Sequence, residues 1–180
     1  TRDPYARYSE RGPDYVYNME RLLRKFATAA TLVPQPVLQP AATPTQLGVI
    51  YFGSTSCAMA EALDALAAAG IQVDALRLRA FPFPASVRDF IAAHEQVFVV
   101  EQNRDAQMRS LLVNELEIDP ARLRPVLHYD GTPITARFIT QAITKLAAHA
   151  PHGAAAAATP AIAQGDAKAA AQAAIQESTP

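Results

Sequence analysis

The chain has 180 residues, of which 50% are hydrophobic, and its formal net charge at pH 7 is −1. This length predicts about one domain, and the balanced charge excludes the basic surface that nucleic-acid binders carry. No apolar run approaches the roughly 18 residues of a membrane span, so we expect no contact with nucleic acid or membrane. The single cysteine excludes an internal disulfide framework and a self-contained iron–sulfur site, and it is consistent with a cytoplasmic protein.

Apolar residues near the N-terminus recur at helical spacing and predict an amphipathic helix over about 14–30. The basic residues Arg21, Arg24 and Lys25 lie off this apolar stripe. They form either a solvated face or a basic contact to a partner, and both interpretations stay open. The stripe itself consists of Met19, Leu22, Leu23, Phe26, Ala27 and Ala30.

The next segment, residues 31–46, is rich in proline and predicts an extended connector that interrupts regular structure. Proline fixes its own φ and pushes the preceding residue toward extended geometry. The arm and this connector, residues 1–45, therefore precede the main domain. The four prolines of the connector are Pro34, Pro36, Pro40 and Pro44.

Residues 46–149 alternate four times between a short apolar run and a helical apolar pattern, which is typical of an α/β domain. Short connections and right-handed crossovers favour a parallel sheet with helices on both faces, a three-layer α/β/α arrangement. We expect the strand order 2-1-3-4, with the first strand central. The predicted strands are residues 47–52, 71–78, 97–100 and 124–129.

The last segment, residues 150–180, is rich in alanine, also contains proline, and has no stripe of large apolar residues. Such a segment does not bury enough apolar surface to offset the conformational entropy that ordering would cost. We expect it to be a disordered tail that the domain does not need in order to fold.

A polar turn, Gly53-Ser54-Thr55, follows the first predicted strand and precedes a helix. Backbone amides at such a helix N-terminus favour anions, which would make this turn a phosphate or carboxylate site. An ordinary turn with Ser54 or Thr55 as the helix N-cap explains the same residues. The sequence lacks the further glycines of a dinucleotide fingerprint and the lysine of a P-loop, which favours the ordinary turn.

A second polar cluster follows the third predicted strand, where Glu101, Asn103 and Arg104 stand before a helix that starts near Asp105. These side chains could position a polar ligand, or they could cap the helix and form an interface ion pair. Because the carboxyl ends of parallel strands share one edge, we expect this cluster to lie beside Ser54. We also expect Glu101 and Asn103 to form hydrogen bonds across a domain interface or near a substrate path.

No pattern in the sequence predicts a catalytic, cofactor-binding or metal-binding residue. Cys57 lies in the first turn of a predicted helix with no histidine near it in sequence, so we expect a small buried residue without chemistry. No two of the four histidines have the i, i+4 spacing of a helical metal site.

Several stretches in fixed order resemble the alpha subunit of 2-oxoacid:ferredoxin oxidoreductases, and most of all that of the 2-oxoglutarate enzymes. The most specific is residues 99–108, Val-Val-Glu-Gln-Asn-Arg-Asp-Ala-Gln-Met. The resemblance covers about residues 1–146, and it departs from the family at Ala106, where glycine is frequent. The other matching stretches are residues 2–8, 18–26, 53–55 and 128–134.

This resemblance implies a thiamine-diphosphate enzyme that cleaves CO2 from a 2-oxoacid, transfers the acyl group to coenzyme A and reduces ferredoxin through iron–sulfur clusters. Residues 46–148 match the transketolase C-terminal-like domain of the alpha subunit, and the pyrimidine-binding domain of that subunit precedes the matched part. In the family, the beta subunit carries the diphosphate site and the cluster cysteines.

The resemblance further implies that this chain is the C-terminal part of an alpha subunit, which supplies a subunit or domain interface and no catalytic residue. Alone it would be inactive and bind no cofactor. Thiamine diphosphate, Mg2+ and the iron–sulfur cluster would belong to the full complex, in which the beta subunit, ferredoxin and coenzyme A are the partners. The interface or substrate-path candidates are Gly53, Ser54, Thr55, Glu101, Asn103 and Arg104. Two alternatives stay open, namely the equivalent domain of another thiamine-diphosphate enzyme and a stand-alone ligand-binding α/β module.

Overall fold

The computed structural model describes residues 1–148, and this part of the chain forms five α-helices and five β-strands. The helices are α1 (Gly12–Leu32), α2 (Ser56–Ala68), α3 (Ala85–Ala92), α4 (Gln107–Leu116) and α5 (Ala136–Ala147). The strands are β1 (Val37–Gln39), β2 (Leu47–Phe52), β3 (Asp74–Leu78), β4 (Gln96–Glu101) and β5 (Leu123–Leu127). Two short 3₁₀ turns cover Gly53–Thr55 and Pro120–Arg122. None of these five helices is long and apolar enough to cross a membrane. The tail that we expect to be disordered, residues 150–180, lies outside the described residues.

The five strands form one sheet in the order β1-β3-β2-β4-β5. The pairs β2–β3, β2–β4 and β4–β5 are parallel, whereas β1 pairs with β3 in the antiparallel direction. The four strands predicted from the sequence are therefore present in the predicted order, with the first of them central. The sheet is mixed only because of β1 at its edge.

Helices cover both faces of the sheet, as a three-layer arrangement requires. β4 is buried along its whole length, because its alternate residues enter two separate hydrophobic clusters. Phe98 and Val100 pack in the cluster that contains α2 and α5, whereas Val97 and Val99 pack in the cluster that contains α3 and α4. The unbroken apolar run of β4 thus marks a central parallel strand. The prediction of an α/β/α domain is confirmed.

Helix α3 approaches β2 so closely that the strand requires a glycine at the contact. A Cβ atom added at Gly48 would lie 2.9 Å from the ring of Phe90. Just after α3, the buried His94 hydrogen-bonds through Nδ1 to the Phe90 carbonyl oxygen at 2.7 Å and through Nε2 to the Asp74 carboxylate at 3.0 Å. His94 is therefore a core residue that fixes α3 to the amino edge of the sheet.

The proline-rich connector contains a strand that the sequence did not predict. β1 pairs along β3, with Val37 opposite Arg77, and it lies between Pro36 and Pro40. Proline lacks the amide that a central strand needs, but a three-residue edge strand flanked by prolines loses few ladder bonds. The backbone amide of Ala41 also donates to the Asp74 carboxylate at 2.7 Å. The prediction that the connector breaks all regular structure is wrong at these residues.

The N-terminal arm consists of α1 and a folded loop before it. The predicted helix over 14–30 is present as α1, and none of its 21 residues is buried. The Asn18 side-chain amide of α1 donates to two atoms of the loop, Thr1 Oγ1 at 2.9 Å and the Arg2 carbonyl oxygen at 2.6 Å. The Asp3 carboxylate accepts from the backbone amide of Arg7 at 2.9 Å. These bonds hold the loop against the first turns of α1.

Candidate functional site

A crevice lies at the carboxyl edge of the sheet, between the ends of β2 and β4. The chain leaves β2 toward β3 on one side and β4 lies on the other side, so the crevice is at a topological switch point, where open α/β sheets bind ligands. Its volume is about 430 Å³. It is lined by Phe52, Gly53, Ser54, Thr55, Gln102, Asn103, Gln107, Met108 and Leu111.

The two polar loops predicted from the sequence meet through a side chain that the prediction did not single out. Gln102 Nε2 donates to Ser54 Oγ at 2.9 Å and to Thr55 Oγ1 at 3.2 Å. The convergence of the two loops at one edge is therefore confirmed. The only sequence signal for Gln102 was its place between Glu101 and Asn103, because glutamine alone indicates no particular chemistry.

Glu101 is completely buried, and its carboxylate closes the N-terminus of α4. It accepts hydrogen bonds from the backbone amides of Met108 at 2.7 Å and Arg109 at 2.9 Å, and from the Asn103 side-chain amide at 2.8 Å. The negative charge thereby compensates the positive end of the helix dipole. This corresponds to the capping alternative. It leaves Glu101 no exposed surface for the hydrogen bond that we expected across an interface.

The segment between Glu101 and α4 is a tight turn built by polar side chains. Asn103 Oδ1 accepts from the backbone amides of Asp105 at 3.1 Å and Gln107 at 3.2 Å. Arg104 Nε donates to the Asp105 carboxylate at 2.7 Å in an exposed ion pair. Ala106 has a φ of +51°, in the left-handed region that favours glycine. This departure from the family pattern therefore falls at a position where glycine would relieve backbone strain.

The turn Gly53–Thr55 is a 3₁₀ turn that leads directly into α2. Gly53 has a φ of +58°, which glycine adopts without strain. Thr55 occupies the N-cap position of α2, but its side chain does not cap the helix and accepts from Gln102 instead. The ordinary-turn interpretation is therefore right about the position of Thr55 and wrong about the bond its hydroxyl makes.

The crevice continues past the end of β2 toward β3. An adjoining hollow of about 280 Å³ shares Phe52, Gly53 and Met108 with it. Phe81, which is half exposed, stacks edge-on against Phe83 at a centroid distance of 5.3 Å in this hollow. The whole edge from β4 to β3 is thus an apolar groove with a polar side at Ser54 and Gln102.

The side chains that line the main crevice carry no ionisable group, and the neighbouring Glu101 carboxylate is sealed behind Asn103 and α4. Amides and hydroxyls can hold a polar ligand or a protein loop, and Phe52, Met108 and Leu111 can bury apolar surface. General acid–base or nucleophilic catalysis requires a titratable group that reaches the reacting atom. The geometry therefore supports binding and contact, and it does not support catalysis by these residues.

The structure places the other candidate groups away from the crevice. Cys57 is exposed, so the prediction of a buried cysteine is wrong, because it lies on the outer side of the first turn of α2. It lines a hollow of about 490 Å³ with Glu61 and Arg137. Among residues 1–148, no three His, Cys, Asp or Glu side chains are grouped so that they could hold a metal ion.

Residues 128–134, one of the stretches on which the resemblance rests, form the turn that leads into α5. The buried His128 ring stacks edge-on against Phe138 at 4.8 Å, and its Nε2 lies 3.4 Å from the Asp130 carboxylate. Hydrogen bonds from the Thr132 backbone amide and hydroxyl hold the pKa of Asp130 below its usual value. These contacts stabilise a turn at the protein surface.

Comparisons with known proteins show which solved structures have a similar fold. No protein-family model and no curated protein sequence matches the chain. Its structure is similar to that of 2-oxoglutarate:ferredoxin oxidoreductase from Magnetococcus marinus with 2-oxoglutarate, coenzyme A and succinyl-CoA bound, at 20% identity and a TM-score of 0.71. The match covers 80% of this chain and 25% of that chain. This chain thus spans about a quarter of the length of the Magnetococcus protein, and the likeness establishes the α/β/α fold.

A second similar structure is the alpha chain of a probable 2-oxoacid ferredoxin oxidoreductase from Thermoplasma acidophilum, at 24% identity and a TM-score of 0.42. That match covers 62% of this chain and 96% of that chain.

Proposed function

We propose that this chain is the C-terminal part of the alpha subunit of a thiamine-diphosphate-dependent 2-oxoacid:ferredoxin oxidoreductase that acts on 2-oxoglutarate. The complete enzyme forms acyl-CoA, CO2 and reduced ferredoxin together with a beta subunit. The observation that carries the proposal is the fold similarity to the Magnetococcus enzyme over 80% of the chain. The motif residues at the crevice support it, since they occur in the same order as in that family.

Within the enzyme, we assign this chain the role of an interface between subunits or domains. Three features support that role. The crevice side chains contain no titratable group, Glu101 is buried as a helix cap, and α1 exposes most of its large apolar side chains. Ser54 and Gln102 can form hydrogen bonds, and Phe81 can form apolar contacts, with the subunit or domain that covers the crevice.

The metal-containing cofactors of the proposed enzyme, Mg2+ and the iron–sulfur cluster, do not fit the described residues. Within residues 1–148, no cluster of His, Cys, Asp or Glu could hold a metal ion, and the sequence has one cysteine. An iron–sulfur cluster needs several cysteine ligands. We therefore place thiamine diphosphate, Mg2+ and the iron–sulfur cluster in the rest of the complex, with ferredoxin and coenzyme A as its partners.

The test is the activity of the complete enzyme that contains this chain. The complex should be purified with its beta subunit and assayed for reduction of a viologen dye that depends on both 2-oxoglutarate and coenzyme A. Pyruvate serves as the comparison substrate, and reactions without coenzyme A serve as the blank. Absence of turnover with any 2-oxoacid would contradict the proposed activity.

The interface role has its own test on the isolated chain. Titration calorimetry with thiamine diphosphate and Mg2+ should detect no binding, because residues 1–148 contain no group of His, Cys, Asp or Glu side chains that could hold the Mg2+ ion. Micromolar affinity would contradict this role. The crevice at the switch point favours a second candidate, a stand-alone ligand-binding module. Tight binding of a small metabolite by the isolated chain, together with an inactive complex, would favour that candidate instead.

A further inference from the structure

The ring of His94 lies between two oxygen atoms, a backbone carbonyl and a carboxylate. The residue is only 4% exposed. Nδ1 lies 2.7 Å from the Phe90 carbonyl oxygen, and Nε2 lies 3.0 Å from the Asp74 carboxylate. A carbonyl and an ionised carboxylate only accept hydrogen bonds, and a neutral imidazole donates from one nitrogen, whereas the imidazolium donates from both. With Asp74 ionised, both hydrogen bonds therefore form only when His94 carries two ring protons.

The surroundings of the ring favour a positive charge. Phe90 lies in the last turn of α3, and the carbonyl oxygens at a helix C-terminus attract cations. The Asp74 carboxylate supplies the opposite charge that a buried charged group requires. On its β2 side the ring packs against Gly48, which adds no charge. Within residues 1–148, the ring forms no hydrogen bond or ion pair with the other ionisable groups of these elements, which are Tyr51, Arg77, Arg88, Asp89 and the adjacent Glu95.

Asp74 links the ring to the segment that precedes the sheet domain. The other oxygen of its carboxylate accepts from the backbone amide of Ala41 at 2.7 Å, and Ala41 lies in the proline-rich connector just after β1. If Nε2 lost its proton, its lone pair would face the lone pairs of the carboxylate, and the carboxylate would turn away from the ring. The orientation of the carboxylate, and thus its bond to Ala41, depends on the proton on Nε2.

We propose that His94 is a buried imidazolium whose second proton fastens the connector to the sheet domain. The hydrogen-bonded chain runs from the Phe90 carbonyl oxygen through His94 and Asp74 to the amide of Ala41. It is closed while both ring nitrogens carry protons, and it opens as rising pH removes one of them. The inference rests on these contacts and does not depend on the proposed function of the enzyme.

The first experiment measures the protonation of His94 by nitrogen NMR of the intact chain with isotope-labelled histidine. At pH 7, both ring nitrogens should show the chemical shift of a protonated nitrogen. In Asp74→Asn the carboxamide can donate to Nε2 and still accept from Ala41, so His94 should become neutral, with a proton on Nδ1 alone. Asp89→Asn, which neutralises an exposed carboxylate of α3, is the matched control and should leave both nitrogens protonated. Circular dichroism verifies that both variants remain folded. An unprotonated ring nitrogen in the parent chain, or two protonated nitrogens in Asp74→Asn, would overturn the proposal.

The second experiment tests the link to the connector by the exchange of two backbone amides with solvent. The amides of Ala41 and Ala121 each donate to a carboxylate, that of Asp74 and that of Asp119. Within residues 1–148, only the first of these two carboxylates contacts a histidine. The ratio of the two exchange rates therefore removes the general acceleration of exchange with pH.

From neutral pH to about pH 9, the exchange rate of Ala41 relative to that of Ala121 should rise about tenfold in the parent chain, as expected for the loss of one charged hydrogen bond. The ratio should stay constant in Asp74→Asn, where His94 carries one proton throughout. A constant ratio in the parent chain, or an equal rise in the variant, would overturn the proposal.

Discussion

The arm and the sheet domain contain the same kind of apolar helical pattern but place it in opposite environments. In the sheet domain, the apolar residues of α2, α3, α4 and α5 enter two hydrophobic clusters on the faces of the sheet. In the arm, none of the apolar residues of α1 is buried, and most of the large ones are exposed. The difference shows that the sheet domain contains the partners its own helices need, whereas residues 1–148 leave most of the apolar surface of α1 uncovered.

The strongest test of this difference replaces one phenylalanine by alanine in each region. Phe98→Ala removes a fully buried ring from β4, and we expect it to lower the free energy of unfolding by about 3–5 kcal/mol. Phe26→Ala removes a ring that is half exposed on α1, and at dilute concentration it should change that free energy by less than about 0.5 kcal/mol. Urea denaturation measures both. Similar losses for the two variants would show that the arm is part of the domain core.

The next largest loss of stability is expected for replacement of Glu101, the buried carboxylate at the N-terminus of α4. Glu101→Ala leaves the backbone amides of Met108 and Arg109 without their buried acceptor, so we expect a loss of about 3 kcal/mol in unfolding free energy. Glu115→Ala, on the exposed side of α4, is the control and should cost less than about 0.5 kcal/mol. Thermal melts of the isolated chain suffice. If the melts of both variants coincide with that of the parent chain, Glu101 is not a structural cap.

Two non-glycine residues of the sheet domain lie in the left-handed region, and their replacement by glycine should stabilise the domain. Ala106 and Glu117, which flank α4, have φ angles of +51° and +52°. Glycine relieves this strain, so Ala106→Gly and Glu117→Gly should each raise the unfolding free energy by up to about 1 kcal/mol. Ala65→Gly, at an exposed position within α2, should lower it by about 1 kcal/mol. A loss at all three positions would contradict the strained geometry.

The smallest expected effect concerns the C-terminal segment. Deletion of residues 151–180 should leave the melting temperature of the sheet domain within experimental error. The reason lies in the sequence, because this segment has no row of large apolar residues to bury. Differential scanning calorimetry of the full and shortened chains provides the comparison. A clear fall in the melting temperature would mean that the segment docks on the domain.

The sequence predicted the sheet well because its strands carry strong signals. The apolar run of residues 97–100 has no polar alternation, which identifies a strand covered on both faces. Glycine and proline between the runs separate strands from helices. β1 was missed because three residues between Pro36 and Pro40 are too few for periodicity to detect. They become a strand only because the edge of β3 is open to them.

The candidate site was predictable in position but not in detail. Parallel strands end at one edge, so Ser54 and the residues after β4 had to converge. Whether Glu101 faces solvent or the N-terminus of α4 depends on the path of the turn through Ala106, which no pattern in the sequence specifies. The exposure of Cys57 likewise depends on how α2 sits on the sheet. Gln102 gains its role only from the distance between two loops that are far apart in the chain.

Hydrogen exchange of the intact chain, followed by mass spectrometry at two protein concentrations, tests the contrast between the two regions most directly. Amides of β2 and β4 should exchange slowly at both concentrations, because they open only when the whole domain unfolds. Amides of α1 should exchange much faster than those of the sheet, because none of the residues of α1 is buried. Equal protection of α1 and the sheet in dilute solution would contradict the account.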